Sequence, residues 1–170
     1  MDSRLTGPAV RLRAATPADW PLLQTWLVRP DVERWWGSRG AAEAEIRIVF
    51  ETQSAIARII EADGRPAGYA HAIDATFWGP SLPDGMPPGT WDVDVVIAEP
   101  EFRSRGVGAQ ALEEIAREVF QTTFALALSV FVPLRTEAAV RAYERAGFRW
   151  VEVWNDPLLG PCWLMIRPRP

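Results

Sequence analysis

Lysine is absent from this chain of 170 residues: all 18 basic residues are arginine, and the sequence offers no mechanistic reason for it. Cysteine is nearly absent too, and the single Cys162 excludes an intrachain disulfide and fits a cytoplasmic protein. One histidine and one cysteine cannot build the usual nitrogen and sulfur metal sets, and the carboxylates show no calcium-loop spacing, so no metal is expected. No apolar run approaches the roughly 20 residues that cross a bilayer, and Met1 to Pro8 lacks the apolar stretch of a signal peptide. The net charge of −4 argues against a nucleic-acid surface and suits a cationic small molecule.

What is present is enough apolar sequence, 48%, for one substantial core, read here as a single domain over residues 1–170. A first strand is predicted over Val10 to Ala14. Thr16-Pro17 then opens a helix to Val28, and Pro30 stops it. Asp31 is expected to cap a short helix through Trp36. Gly37 to Gly40 should break it before a helix over Ala41 to Glu51, where Ile46, Val49 and Phe50 share a face. Ala55 to Ala62 and Ala67 to Phe77 flank Asp63-Gly64-Arg65-Pro66, a hairpin signal. The proline- and glycine-rich stretch Gly79 to Gly89 reads as a long functional loop before a strand over Trp91 to Ala98. Later elements are a helix over Ala109 to Phe120, a strand over Ala125 to Val132, a helix over Thr136 to Ala146, and strands over Phe148 to Trp154 and Cys162 to Ile166. The sum is an α/β sandwich around a mixed sheet.

The segment Arg103-Ser104-Arg105-Gly106-Val107-Gly108-Ala109 lies between a strand and a helix. Glycines at the mouth of a helix let the backbone approach a ligand, and the unpaired first-turn N–H groups make an anion site, so a phosphate-bearing ligand is expected. The spacing fits neither a nucleoside-triphosphatase loop nor a dinucleotide loop.

Arg-x-x-Gly-x-Gly resembles the pyrophosphate loop of the GNAT acetyl-CoA-dependent N-acetyltransferases. The run from Ala139 through Tyr143 to Gly147-Phe148 resembles that family's second signature, A-x-x-x-Y-x-x-x-G-F, at the family's offset. The resemblance implies a mixed, mostly antiparallel sheet flanked by helices, and acetyl-CoA as cofactor. It implies that Arg103, Ser104, Arg105, Gly106, Val107, Gly108 and Ala109 bind pyrophosphate, mainly through main-chain N–H groups. It also implies that Val95, Val96 and Ile97 meet the pantetheine arm as an added strand, with a bulge in this strand, and that Thr136, Ala139 and Tyr143 line the cofactor.

Amine acetylation needs a proton taken from the ammonium, a stabilised carbonyl oxygen and a protonated thiolate leaving group. Strand alternation puts Asp92 and Asp94 on one face and Val93, Val95 and Ile97 on the other. Asp94 is the candidate base, and Asp92 a companion that would steer a cation; a solvent-facing edge with ordinary acids is the competing reading. By the resemblance, Tyr143 is the candidate acid near the sulfur, against a packed core tyrosine.

Asp31 to Gly37 with Trp35-Trp36-Gly37, then Gly68-Tyr69-Ala70-His71, then Val93-Asp94, look like the corresponding run of aminoglycoside 6'-N-acetyltransferases. That implies Trp35, Trp36, His71, Asp92 and Asp94 at the acceptor. Phe131 to Thr136 departs from that group's Asp-Pro stretch and Asn, and Arg135 would repel a polycation. Trp20 and Trp26 are read as core or interface, and Trp35, Trp36, Trp78 and Trp91 as the frame of the acceptor cleft. Trp154 and Trp163, read as exposed, make a homodimer conceivable beside a monomer. His71 is either structural or a proton carrier. Four readings stay open: an acetyltransferase for an aminoglycoside, one for a siderophore precursor or other small amine, one for a protein N-terminus, and a non-catalytic acyl-CoA-binding module.

Overall fold

A computed structural model describes residues 7–134, 136–157 and 159–170. Strand β1 (Val10–Ala14) leads through a 3-10 turn, Pro17–Asp19, into α1 (Trp20–Leu27). Thr16 and Asp19 form a capping box over that turn, which makes a 3-10 start of what the sequence predicted as one helix. Helix α2 (Pro30–Trp36) begins with Pro30 at its first position, so this proline both follows the end of α1 and opens α2. Asp31 is not the cap; its carboxylate is taken by Arg29 and Arg103. Helix α3 (Arg39–Glu51) starts earlier than expected and runs through Gly40, because the Ser38 hydroxyl accepts from the Ala41 N–H at 3.3 Å.

Strands β2 (Ile56–Ala62) and β3 (Arg65–Asp74) meet across Asp63-Gly64, with φ of 50° and 76°. Positive φ at both positions gives the two-residue hairpin turn, tighter than the four residues expected. β3 ends at Asp74, not Phe77, because Asp74 Oδ1 accepts from the Thr76 N–H and hydroxyl and folds Ala75–Trp78 into a 3-10 turn. Then come β4 (Thr90–Ile97), α4 (Val107–Thr122), β5 (Ala127–Pro133), α5 (Glu137–Arg145), β6 (Arg149–Asp156) and β7 (Gly160–Pro168).

The seven strands order as β1-β2-β3-β4-β5-β7-β6, and all neighbours are antiparallel except β4 and β5. Helix α4 buries Val107, Ala111, Leu112, Ile115, Ala116 and Val119, a 3.6-period stripe, on one face of the sheet with Val93 and Leu128. Helices α1 to α3 cover the other face through Leu23, Trp26, Val32, Trp36 and Ile46 with Ile59, Tyr69 and Val96. Guanidinium groups brace the frame at Arg13 with Asp19, Arg58 with Glu118 and Arg167 with Glu113.

The pairing of β4 with β5 is short. It covers only Thr90 to Asp92 against Ala127 to Ser129, and past Asp92 the two strands part while β4 stays on β3 as far as Ile97. The parting opens a passage through the sheet between its two helical layers. The register of β4 against β3 runs without a shift, so the bulge expected in β4 is absent; the register shift lies in β2 at Ile60/Glu61 instead.

Candidate active site

A cavity of about 320 Å³ occupies the parting of β4 and β5. Trp35, Trp36 and Glu45 line it from one layer, Tyr143 from the other, and Asp92 and Asp94 from β4 between them. Pro80 to Pro83 of the long loop and Trp154, Asp156 and Pro157 of the β6–β7 corner close the far side. Four carboxyl groups therefore line it, and among the described lining residues there is no arginine. Arg135, which the sequence suggested would repel a polycation, lies outside the described residues.

Strand alternation delivers Asp92 and Asp94 to the same face, as expected, but with different surroundings. Asp92 is buried, and its two oxygens accept from the Trp78 indole N–H at 2.8 Å and the Ser129 hydroxyl at 2.9 Å. Burial outweighs these bonds and pushes its carboxyl up to about 7. Asp92 so placed ties the start of the long loop to β5. Asp94 is half-buried, and burial raises its carboxyl above the usual range, while the Val95 N–H and the Trp36 indole pull it down. The Trp36 N–H faces Asp94 with no partner at hydrogen-bond length. Trp36 itself is held by stacking on Tyr69, with ring centres 5.2 Å apart.

His71 is fully buried on β3, opposite Asp94. One ring nitrogen, Nδ1, lies 3.3 Å from the Tyr69 hydroxyl, and Nε2 has no partner. Burial lowers the imidazole to about 3, so it is neutral throughout the working range of most enzymes. Polar atoms of Glu45, His71 and Asp94 all lie within 4.8 Å of one another. Sequence spacing gave no hint that the fold would bring the one histidine beside two carboxyls.

Tyr143 projects from α5 and packs edge-on against Phe148, centroids 5.6 Å apart, with Ala139, Val140 and Ala146 on the same partly buried stripe. Burial, then the charges of Asp94 and Asp92, raise its phenol well above the ordinary value, so it keeps its proton and can donate it. The Thr136 hydroxyl donates to the Pro133 carbonyl at 2.8 Å just before α5.

The glycine loop reaches α4 through Ser104 at φ 58° and Gly106 at φ 80°. Two left-handed residues turn the chain so that Val107, Gly108 and Ala109 begin α4, and their first-turn N–H groups precede the helical ladder. The Gly106 carbonyl accepts from the Gln110 N–H at 3.1 Å, which closes the first turn two residues earlier than predicted. The Arg103 side chain turns inward. Its guanidinium donates to the Ile97 and Ala98 carbonyls at 2.9 and 3.0 Å and pairs with Asp31 at 3.0 Å, bracing the end of β4 against α2. Among the described residues, the Arg105 guanidinium reaches the Glu101 carbonyl, at 3.4 Å.

The tryptophans divide differently from the sequence reading. Trp35, Trp36 and Trp78 line the cavity, but Trp91 points to the α4 layer and is buried there. Trp154 lines the cavity and Trp163 packs on the core, so neither is an exposed aromatic; Trp150 is the exposed one of that pair of strands. Glu45 and Asp156 escaped the sequence reading. Glu45 was visible in principle, since it shares the α3 stripe of Ala42, Ile46 and Val49, where an acid is out of place. Asp156 had no such signal, because only the fold brings the β6 end to β4.

A family model described as acetyltransferase (GNAT) domain matches residues 15–155. Aminoglycoside N(6')-acetyltransferase type 1 of Klebsiella pneumoniae and that of Serratia marcescens are each 25% identical to this chain, over 95% of it and 84% of theirs. Among solved structures, aminoglycoside acetyltransferase AAC(6')-Ib in complex with coenzyme A has a TM-score of 0.78 at 26% identity, over 95% of each chain. The same enzyme with coenzyme A and kanamycin has a TM-score of 0.77 at 25% identity, again over 95% of each. The match spans both signature segments and the parted strands, and this chain belongs to the GNAT family of acetyltransferases.

Proposed function

We propose that the protein moves the acetyl group of acetyl-CoA to a primary amine of a small polycationic acceptor, an aminoglycoside acetylated at its 6'-amine. The observation that carries this is the cavity: Glu45, Asp92, Asp94 and Asp156 face inward with no arginine among the described lining, between the indoles of Trp35, Trp36, Trp78 and Trp154. Carboxylates recognise ammonium groups, and aromatic walls suit sugar rings.

The cofactor fits the other side of the passage. First-turn N–H groups of Val107 to Ala109 and the left-handed Gly106 make an anion cradle, and Val95 to Ile97 lie where β4 has left β5. Acetyl-CoA supplies the activated acyl group. Asp94 takes a proton from the acceptor ammonium and frees its lone pair for attack on the thioester carbonyl carbon. A main-chain N–H of β4 donates to the carbonyl oxygen as charge gathers there. Tyr143 gives its phenolic proton to the sulfur as the carbon–sulfur bond breaks, and the second proton of the acylated nitrogen is lost to restore the phenol. The products are the N-acetylated amine and coenzyme A thiol, with one proton released overall.

The test is thiol release from acetyl-CoA with kanamycin-type aminoglycosides, polyamines, hydroxylamine siderophore precursors and short peptides. Turnover of an aminoglycoside at kcat/KM of about 10⁴ M⁻¹s⁻¹ or more supports the reading. Trace turnover on aminoglycosides beside efficient turnover of another amine transfers the acceptor site to that amine.

A further inference from the structure

Glu45 has no place in the chemistry above, yet it stands at the centre of the cavity's charge. It projects from the buried stripe of α3, and its polar atoms lie within 4.8 Å of those of His71 and Asp94. Among the described residues, the ionisable groups around it come from four other elements: Asp92 and Asp94 of β4, Tyr69 and His71 of β3, Tyr143 of α5, and Asp156 at the end of β6. His71 is neutral and both tyrosines keep their protons, so none of these groups is positive. Trp36 offers Asp94 a dipole and no charge. Two carboxyls this close, in a walled cavity, do not both ionise; like-charge repulsion in a poorly solvated site leaves one of them protonated.

We propose that Glu45 and Asp94 form a carboxyl pair that holds one proton between them in the free protein, and that the acceptor's ammonium takes that proton's place on binding. This rests on the reading of the cavity as the acceptor site. The exchange balances: one carboxylic acid and one carboxylate meet one ammonium, the Glu45 O–H bond breaks, the proton leaves to solvent, and the ammonium sits between two carboxylates. No electrons are transferred. The site discriminates by charge, because a neutral acceptor cannot displace the proton. Burial and the neighbouring carboxylates raise the Glu45 carboxyl far above the glutamate range, in keeping with this arrangement.

Two measurements decide it. In ligand-free protein carrying 13C at glutamate and aspartate carboxyls, Glu45 is expected to titrate above pH 7, and to move down by at least about one pH unit in Asp94→Asn. Titration of Glu45 near pH 4 in the wild type, or an unmoved Glu45 in Asp94→Asn, overturns the pair. Calorimetry of kanamycin binding in two buffers of different ionisation enthalpy then reads proton release. The wild type should release close to one more proton than Glu45→Gln, so that its affinity gains roughly tenfold per pH unit relative to the variant while Glu45 is protonated. Equal proton release overturns the exchange. A raised Glu45 that responds to Asp94→Asn, in a protein that binds no aminoglycoside, keeps the pair and removes the aminoglycoside reading alone.

Discussion

Gly68 of β3 and the carbonyl of Val96 in β4 touch with nothing between them: a β-carbon on Gly68 would lie 2.0 Å from the Val96 oxygen. Neighbouring strands cannot accommodate that, so any side chain here pushes β4 sideways at the point where it has left β5. Gly68→Ala should cost about 3 kcal/mol, the upper range for overpacking, and lower acetyl-CoA affinity along with the melting temperature. Thermal melts and CoA titration check it; a variant with wild-type values in both would mean that β4 yields freely.

Arg103 and Arg105 sit two residues apart and should behave differently. Arg103→Ala removes two hydrogen bonds and an ion pair that fix the end of β4, a loss of about 2 kcal/mol. Arg105→Ala should leave stability unchanged. Gly108→Ala should also leave the fold intact, since an added β-carbon would meet Ile97 at an ordinary 3.5 Å, so its effect reads out the anion cradle alone. Melting temperature and coenzyme A affinity, measured for all three, separate bracing from binding.

Asp92 ties stability to pH. Its folded carboxyl is raised to about 7, against an ordinary aspartate value of about 4. The folded state therefore binds this proton more tightly than the unfolded chain does. The contribution is present below about pH 4 and is lost as the pH rises towards 7. Asp92→Asn can keep both contacts, its carbonyl accepting from Trp78 and its amide donating to the Ser129 oxygen. The wild type should lose melting temperature between pH 5 and 8 relative to Asp92→Asn, and parallel curves would refute the assignment.

Asp94→Asn should leave acetyl-CoA affinity nearly intact and lower turnover by about 10² or more, the scale of a lost general base. Tyr143→Phe should reduce the rate with little effect on binding. Because Asp94 must be ionised to act and its carboxyl is raised by burial, activity should fall on the acid side at a pH above the ordinary aspartate range. Single-turnover rates across pH for the three proteins test all of this; a Tyr143→Phe rate equal to wild type would reduce that residue to packing against Phe148.

Cys162 should stay silent in a thiol assay. It is fully buried, its Sγ is 3.4 Å from the Trp154 carbonyl, and burial and the Asp156 charge push the thiol up to about 11. An aromatic disulfide reagent should react with it only after denaturation, so native colour reports coenzyme A alone.

Much of this was legible because period and punctuation are local. β1 matches its predicted limits, and the Gly loop, the α4 stripe and the Asp92/Asp94 alternation follow from three to sixteen adjacent residues. The errors have local causes too: the Ser38 cap carries α3 through Gly40, and the Asp74 turn ends β3 early. What sequence could not give is convergence. Glu45, His71, Asp94 and Asp156 come from four elements, and the retraction of the Arg103 guanidinium onto carbonyls depends on where β4 ends. The parting of β4 from β5 leaves no trace in either strand, since Val93, Val95, Val96 and Ile97 of β4 and Val130, Phe131 and Val132 of β5 are ordinary strand residues whether paired or not.

The ion pairs that brace this frame are all made by guanidinium groups, at Arg13, Arg29, Arg58, Arg103 and Arg167 among others. A guanidinium stays protonated at any physiological pH and does not attack a thioester, whereas a lysine amine does. An enzyme that works beside a reactive acyl donor thus carries no side-chain amine that the donor could modify, and its scaffold charges cannot be erased by its own reagent.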